Sequence, residues 1–410
     1  MTRELLTGNA AAAWGARLAE VDYLPVYPIT PQTEVIETLA QWTASGALKA
    51  RLVTMDSEHS MLTAAGAAAA TGARVFTASS SQGLVYGFEM LYTVAGWRVP
   101  LVLLNVSRAL SAPITLEPDH NDILAARDSG FLQIHAETCQ EVLDSILMAY
   151  RLAEHPEVHL PVLVNLDGFY LSFAREPVDL PAVDDVRAFL PAYKPLHGFS
   201  ASHGMAQGVA VLGGAGYSFF KYQMHRAAEA ALAAHDAITG DFCRHFGRCY
   251  GAVEGFRLDD ADWVIVMSNS LSTVGKAAVT RLRARGEKVG LLRLRLIRPF
   301  PNQEIEWLLG NRRAVAVIDQ NISIGKGGIL FGEIASALHR RGGPPLLSFI
   351  GGLGGRRFRG EEFDAIVKAL HAAADDGGSA EPTLLYSEAE YRQVLEMLRI
   401  AHGETEGSRA

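Results

Sequence analysis

Four short stretches carry residue types that could do chemistry together. Glu58 follows Asp56 and Ser57 at the head of a run, Met61 to Gly72, made almost entirely of Ala, Gly and Thr. Asp56 and Ser57 are candidate caps for orphan N–H groups, and a carboxylate in a first helical turn complements the helix dipole by about 0.3–1 kcal/mol. Taken locally, Glu58 needs no further role. Thr30 stands in Tyr27-Pro28-Ile29-Thr30-Pro31, where two prolines constrain the loop and present a hydroxyl. A serine-rich turn, Ser79-Ser80-Ser81-Gln82-Gly83, and a guanidinium in Val106-Ser107-Arg108-Ala109 complete the set. Arg offers carboxylates a planar, bidentate fork, so an anionic substrate is the chemistry these groups suggest jointly.

The elements that must position them follow from hydrophobic patterning. Strand signals at Tyr23–Tyr27, Arg51–Met55, Arg74–Ala78, Pro100–Val106 and Pro161–Leu166 alternate with helical signals at Asn9–Glu20, Pro31–Thr43, Ser57–Thr71, Gln82–Ala95 and Gln140–His155, with Phe131–Ala136 a further segment. Such alternation predicts a doubly wound parallel α/β domain, whose ligands gather at the carboxyl ends of the strands. Each of the four stretches lies at such an end. A helix of small side chains after Glu58 suits close approach of a backbone or a flat ligand.

From Asp167 to about Asp260 the rhythm is lost among prolines and glycines, apart from a helix at Tyr222–Ile238. It resumes with strands at Trp263–Met267, Lys288–Leu294, Ala314–Ile318 and Leu346–Ile350 and helices at Leu271–Arg285, Asn302–Leu309, Ile329–Arg340 and after Gly360. The expected division is residues 1–255, a first domain with its connector; 256–374, a smaller α/β domain; and 375–410, a flexible linker, a short helix at Ser387–Ala401 expected to pack on a partner or a distant surface, and a disordered end.

Composition excludes several function classes. The 410 residues are 49% hydrophobic and 20% charged with a net charge of −8, so no basic footprint points to nucleic acid or an anionic membrane. No apolar run reaches the roughly 18 residues of a membrane helix, and the N-terminus carries no signal-peptide core, so a cytoplasmic location is expected. The three cysteines, Cys139, Cys243 and Cys249, argue against a disulfide framework and are expected to be structural thiols. They are also too few for an iron–sulfur cluster, which takes about four cysteine ligands. Ser323-Ile324-Gly325-Lys326-Gly327-Gly328 lacks the ends of a P-loop, and Gly351-Gly352-Leu353-Gly354-Gly355 breaks dinucleotide spacing. The latter reads as a tight turn or, with Arg356, Arg357 and Arg359 following, an anion or interface site. The Gly-Asp-Gly that thiamine diphosphate enzymes use for Mg2+ is missing, Asp167-Gly168 being the nearest. His59, His120 and His135 lack zincin spacing, and His120 is expected to serve a loop hydrogen bond.

The four stretches, in this order, resemble the alpha subunit of 2-oxoacid:ferredoxin oxidoreductases, the pyruvate:ferredoxin oxidoreductase family. Asp119-His120-Asn121-Asp122, Arg127-Asp128-Ser129-Gly130-Phe131 and the second-domain segment from Arg293 to Pro301 strengthen the likeness, which runs from Gly8 to about Phe358. The resemblance implies a thiamine diphosphate pyrimidine-binding domain followed by a transketolase-C-like domain. It assigns Glu58 to N1′ of the aminopyrimidine, favouring the imino tautomer that takes the thiazolium proton. Pro28, Ile29, Ser81, Gln82 and Gly83 join Glu58 around the cofactor, and Thr30 and Arg108 contact the substrate carboxylate. It further implies oxidative decarboxylation of a 2-oxoacid, with coenzyme A taking the acyl group. A beta subunit would hold the diphosphate, Mg2+ and a four-iron four-sulfur cluster. Ferredoxin-like gamma and delta subunits, or a flavin/NAD subunit, would carry electrons onward. Leu116-Glu117-Pro118 departs from the family's usual Gly-Asp before His, and Arg356-Arg357 from its Arg-Asp, which puts pyruvate in doubt and raises an aryl 2-oxoacid such as phenylglyoxylate. Two alternatives stand beside this. One is a subunit of another thiamine diphosphate enzyme without iron–sulfur partners, transketolase-like or of the 2-oxoacid dehydrogenase beta type. The other is a non-catalytic scaffold or regulatory subunit.

Overall fold

The computed structural model describes residues 2–196, 199, 202, 204–339, 342–379 and 381–401. The expectation of a disordered end concerns residues 402–410, which lie outside them. Among the described residues the first domain is built on the parallel strands Phe76–Ser79, Val102–Ser107, Val162–Asp167 and Leu132–His135. A parallel pair, Tyr23–Val26 with Arg51–Thr54, extends it through a bridge from Tyr23 to Val75 and a 2.7 Å hydrogen bond from the Thr77 hydroxyl to the Pro25 carbonyl. Alternation along one central strand sorts its side chains to opposite faces. Val102, Leu104 and Val106 enter the core under helices Gly8–Leu18 and Cys139–Ala153, while Leu101 and Leu103 enter the core under Glu58–Ala70 and Phe88–Trp97. Burying each such Leu or Val stabilises by about 1.5–3 kcal/mol.

Small residues let these helices approach. A Cβ on Gly15 would lie 3.0 Å from Ile146, and one on Gly66 would lie 2.5 Å from Val94. Close approach is thus one use of the Ala/Gly helix, and the neighbour there is another helix. The expected helix Gln82–Ala95 is two, Ser81–Tyr86 and Phe88–Trp97, hinged at Gly87 where a Cβ would strike Leu62 at 2.4 Å.

In the second domain the parallel strands run in the order Leu346–Ile350, Ala314–Asp319, Trp263–Ser268, Val289–Leu294, with Val253–Phe256 antiparallel at one edge and the short Thr383–Leu384 at the other. Its strand Val289–Leu294 does not stop there. After one residue the chain enters Leu296–Arg298, which pairs antiparallel with Leu132–His135 of the first sheet. Arg293 and Arg295 flank this crossing, 2% and 0% exposed, and both bind Glu141 on helix Cys139–Ala153. The segment expected within the second domain therefore stitches the two sheets together.

Outside the two sheets, some elements were not expected and others differ from expectation. Thr2–Thr7 pairs antiparallel with Arg175–Leu180. The helix expected at Tyr222–Ile238 runs 33 residues, Gly214–Phe246, with Tyr217, Phe219, Phe220 and Tyr222 exposed along its first turns. It ends at Gly247, whose φ of +70° reverses the chain and brings Cys249 back to Cys243. These two form a disulfide with Cα atoms 4.5 Å apart, correcting the expectation of free structural thiols. Cys139 stays free and buried. Helix Glu388–Ala401 buries none of its residues, leaving Tyr391, Leu395 and Leu398 as an open stripe.

Candidate functional site

The carboxyl edge of the first sheet gathers the loops after its strands. The loop after Tyr23–Val26 is closed by Gln32, whose side chain donates to the Tyr27 carbonyl (2.9 Å) and whose N–H bonds the Ile29 carbonyl (3.0 Å). Asn9 anchors it from below through the Pro31 carbonyl (2.9 Å). Pro28 and Thr30 are exposed on this loop and Ile29 is half-buried. Arg108 reaches across from the end of strand Val102–Ser107, beyond Phe76–Ser79. Its Nη1 donates to the Thr30 carbonyl at 2.9 Å and its Nη2 to Gln82 Oε1 at 3.4 Å. Its Nε is buried without a partner, a donor a carboxylate could take.

Ser81 begins a helix at φ +50°, a left-handed conformation that a serine keeps only when its surroundings hold it. Here its N–H bonds Asp122 (3.0 Å) and its hydroxyl bonds the Ala109 carbonyl (2.9 Å) and Gln82 Oε1 (2.6 Å). Gln82 is thereby fixed between Ser81, Arg108 and, through its own amide, Ser111 (2.9 Å). Gly83 follows. A Cβ there would sit 2.4 Å from Glu58 Oε1 and 2.8 Å from Ser79 Oγ, so glycine at this position is what leaves room for the Glu58 carboxylate.

Glu58 opens helix Glu58–Ala70, with Ser57 as N-cap accepting from the Ser60 N–H at 3.2 Å. It is 5% exposed, yet among the described residues no hydrogen bond of the chain ends on its carboxylate. Ser79 Oγ, around the same Gly83 position, is buried without a partner, as is Ser80 Oγ of the adjoining residue. A buried carboxylate without a partner, close to an unsatisfied hydroxyl, could accept a donor from a bound group. The structure thus joins Thr30, Gln82 and Arg108 by direct hydrogen bonds and Glu58 to them through Gly83. Pro28 and Ile29 share only the loop.

Asp122 is a buried residue at the site to which sequence reasoning gave no role. It is fully buried, and both its oxygens accept from strand ends of the site. Burial pushes its carboxyl above the ordinary carboxylate value, with hydrogen bonds from Asn105, Ser81 and Arg108 pulling the other way. The signal was present as Asp119-His120-Asn121-Asp122, but acidic residues after a proline read equally as a solvated loop.

The carboxyl edge of the second sheet is filled by the first domain. His120 Nε2 lies 2.8 Å from Asp167 Oδ1, and Asp167 Oδ2 accepts the Ser270 N–H at 2.9 Å. Asp167 is thus spent on internal bonds and is unlike a Mg2+ ligand. His120 does serve a hydrogen bond, in the interdomain core. His135 faces Asn269 and Ser268, and burial together with His120 pushes its imidazole down to about 3. A cavity of about 10 Å³ beside His120, Ser268 and Gln320 has room for about one water. The turn from Gly351 packs on the first domain, with Gly355 N–H bonding the Pro118 carbonyl (2.8 Å), and Arg356 is paired with Glu362 and Glu390. It is an internal interface.

Comparison with known proteins decides the family. The family model described as pyruvate flavodoxin/ferredoxin oxidoreductase, thiamine diphosphate-binding, matches residues 14–238, and that of pyruvate:ferredoxin oxidoreductase core domain II matches residues 261–363. The chain belongs to the 2-oxoacid:ferredoxin oxidoreductase family. It is an alpha-type subunit, and its first domain is the family's thiamine diphosphate-binding domain. It is 42% identical over 377 residues to the pyruvate synthase subunit PorA of Methanocaldococcus jannaschii, covering 91% of this chain and 96% of that one. It is 38% identical to the ketoisovalerate oxidoreductase subunit VorA of Pyrococcus horikoshii, covering 92% and 95%. A solved 2-oxoglutarate:ferredoxin oxidoreductase from Magnetococcus marinus shares the fold at a TM-score of 0.69 and 20% identity. That match covers 90% of this chain and 65% of the solved one. A split-gene transketolase shares it at 0.51 and 13%. Relatives named as subunits place the chain in a multisubunit enzyme. No helix among the described residues is long and apolar enough to cross a membrane.

Proposed function

We propose that this chain binds the pyrimidine end of thiamine diphosphate with Glu58 and the carboxylate of a 2-oxoacid with Arg108 and Thr30, as half of an active site completed by a beta subunit. The observation that carries this is the Arg108 guanidinium. It is tied to Thr30 and to Gln82 with its Nε unspent, and Gln82 adjoins the Gly83 that makes room for a carboxylate that the chain itself leaves unbonded. When bound, thiamine diphosphate supplies the carbon that adds to the 2-oxo group and the electron sink for loss of CO2. Glu58 holds a proton at the pyrimidine nitrogen. Arg108 and Thr30 orient the acid so that its carboxylate is fixed while the carbonyl faces the cofactor. Pro28, Ile29, Ser81, Gln82 and Gly83 line the pocket.

The products are CO2 and, with coenzyme A, an acyl-CoA, the electrons leaving through iron–sulfur partners. Those partners are a beta subunit with the diphosphate and Mg2+ site and ferredoxin-like gamma and delta subunits. Val85 and Tyr86 on the helix that carries Gly83, and Tyr92 on the next helix, are 41%, 63% and 39% exposed, large apolar side chains that the beta subunit would cover. The acid is pyruvate or an aryl 2-oxoacid.

Arg108→Ala in the reconstituted complex raises the KM for the 2-oxoacid by about 10–10³-fold, the loss of a charge-assisted contact, and abolishes discrimination between the acid and its ester. Anaerobic dye-reduction assays with both substrates check it, and an unchanged KM removes Arg108 from the site. Gly83→Ala is expected to lower turnover by about 10²-fold, because the added methyl evicts the Glu58 carboxylate. Steady-state rates beside the complex's unfolding midpoint separate this from misfolding; wild-type turnover would show that Glu58 need not sit against Gly83. Visible spectra of the native complex should show broad iron–sulfur absorbance. Its absence would favour a thiamine diphosphate enzyme without such partners.

A further inference from the structure

Asp122 belongs to none of the loops that meet ligand in the reading above, yet the atoms around it come from those loops. Its Oδ2 accepts from the Ser81 N–H (3.0 Å), the Arg108 N–H (3.2 Å) and Asn105 Nδ2 (3.1 Å). Its Oδ1 accepts from the Ser107 hydroxyl (3.0 Å) and the Ile123 N–H (2.7 Å). All five donors are neutral, so this carboxylate is no half of an ion pair. A carboxylate is acceptor-only, with room for about four hydrogen bonds on two oxygens, and it suits a point where donors converge and nothing needs to accept. Two of the donors are backbone N–H groups of turns that leave adjacent parallel strands, Phe76–Ser79 and Val102–Ser107. One turn is the left-handed Ser81, next to Gln82. The other is Arg108 itself.

We propose that Asp122 is the positioning residue of the substrate-carboxylate site. Through the Ser81 and Arg108 N–H groups it holds the two turns at one separation, so that the Arg108 guanidinium and the Gln82 amide are presented together. The inference rests on Arg108 binding the acid's carboxylate. Asn in place of Asp122 exchanges one acceptor for an NH2 that faces donors, which parts the turns. A displacement of about 1 Å at such a site costs up to about 10²-fold.

The test uses the complete complex carrying Asp122→Asn, Arg108→Ala, or both, with kcat and KM for the 2-oxoacid read separately. Asp122→Asn is expected to raise KM by about 10–10²-fold with kcat changing far less. In the Arg108→Ala background it should raise KM no further, because the group it positions is already gone. A merely structural role predicts the reverse: a lower unfolding midpoint and a smaller active fraction, KM unchanged, effects adding in the double variant. That pattern overturns the proposal. Should Asp122→Asn not assemble, Ser107→Ala takes its place, removing one partner of Asp122 while leaving both backbone donors. A several-fold rise in KM that vanishes in the Arg108→Ala background supports the proposal, and an unchanged KM overturns it. A wild-type KM in Arg108→Ala alone overturns the carboxylate site as well. An altered KM in Arg108→Ala beside an unaltered one in Asp122→Asn overturns Asp122 only.

Discussion

Glu58→Gln in the assembled complex is expected to cut 2-oxoacid-dependent reduction of a viologen dye by about 10²–10⁴-fold or more, the span that loss of a positioned acid–base group covers, while subunit assembly is untouched. Gln has the shape of Glu, and the space it needs is already made by Gly83. What changes is charge. Glu58 can balance a proton on a pyrimidine nitrogen, whereas a neutral amide can only hydrogen-bond to it. Because no group of the chain is bonded to this carboxylate among the described residues, removing its charge orphans nothing, and the unfolding midpoint should hold. Anaerobic dye assays paired with native mass spectrometry separate the two effects. Undiminished turnover in a fully assembled variant would remove Glu58 from the chemistry.

Glu141→Gln is expected to destabilise the chain by about 3–5 kcal/mol, read as a fall in the denaturant midpoint of the two-domain unit. Arg293 and Arg295 are wholly buried where the chain crosses between the sheets. Glu141 accepts from Arg295 Nε at 2.6 Å and from Arg293 Nη1 and Nη2 at 3.2 Å each, with its other oxygen 3.0 Å from Arg293 Nη1. Arg293 also reaches Glu254 and Glu137, but Arg295 has Glu141 as its carboxylate, with His235 and Ser145 as its other partners. Burial pushes Arg295 below its ordinary pKa. An uncompensated guanidinium there is costly because no solvent can replace the lost charge. The pH dependence has a definite sign. Burial alone would raise Glu141, but Arg293 and Arg295 outweigh it and hold it below its ordinary value of 4.5. The stability it contributes is therefore present above about pH 4.5 and is lost as pH falls through the depressed value. The variant should lack that acid-dependent part. A midpoint equal to wild type at neutral pH would show that the crossing is held by packing alone.

The sheet and the site were legible in the sequence to different depths. Alternating strand and helix signals are local: a buried parallel strand such as Val102–Ser107 is apolar on both faces until Asn105 and Ser107 at its carboxyl end, and so the α/β class and the polar groups at its strand ends could be read directly. Thr30, Glu58, Gln82 and Arg108 could be placed at strand ends because prolines, a small-residue helix and a serine turn mark where strands stop. Long-range contacts left no such mark. Leu296–Arg298 is three residues long and becomes a strand only because the edge of another sheet offers it partners. Asp122 is polar and lies among polar residues, so nothing in its neighbourhood foretells full burial under donors from two other strands. Cys243 and Cys249 meet only because Gly247 turns the chain between them. The residue types and their order along the chain determined which groups could do chemistry. Tertiary structure alone decided which of them share hydrogen bonds, because donors and acceptors far apart in sequence can be paired only by the fold that excludes water from them.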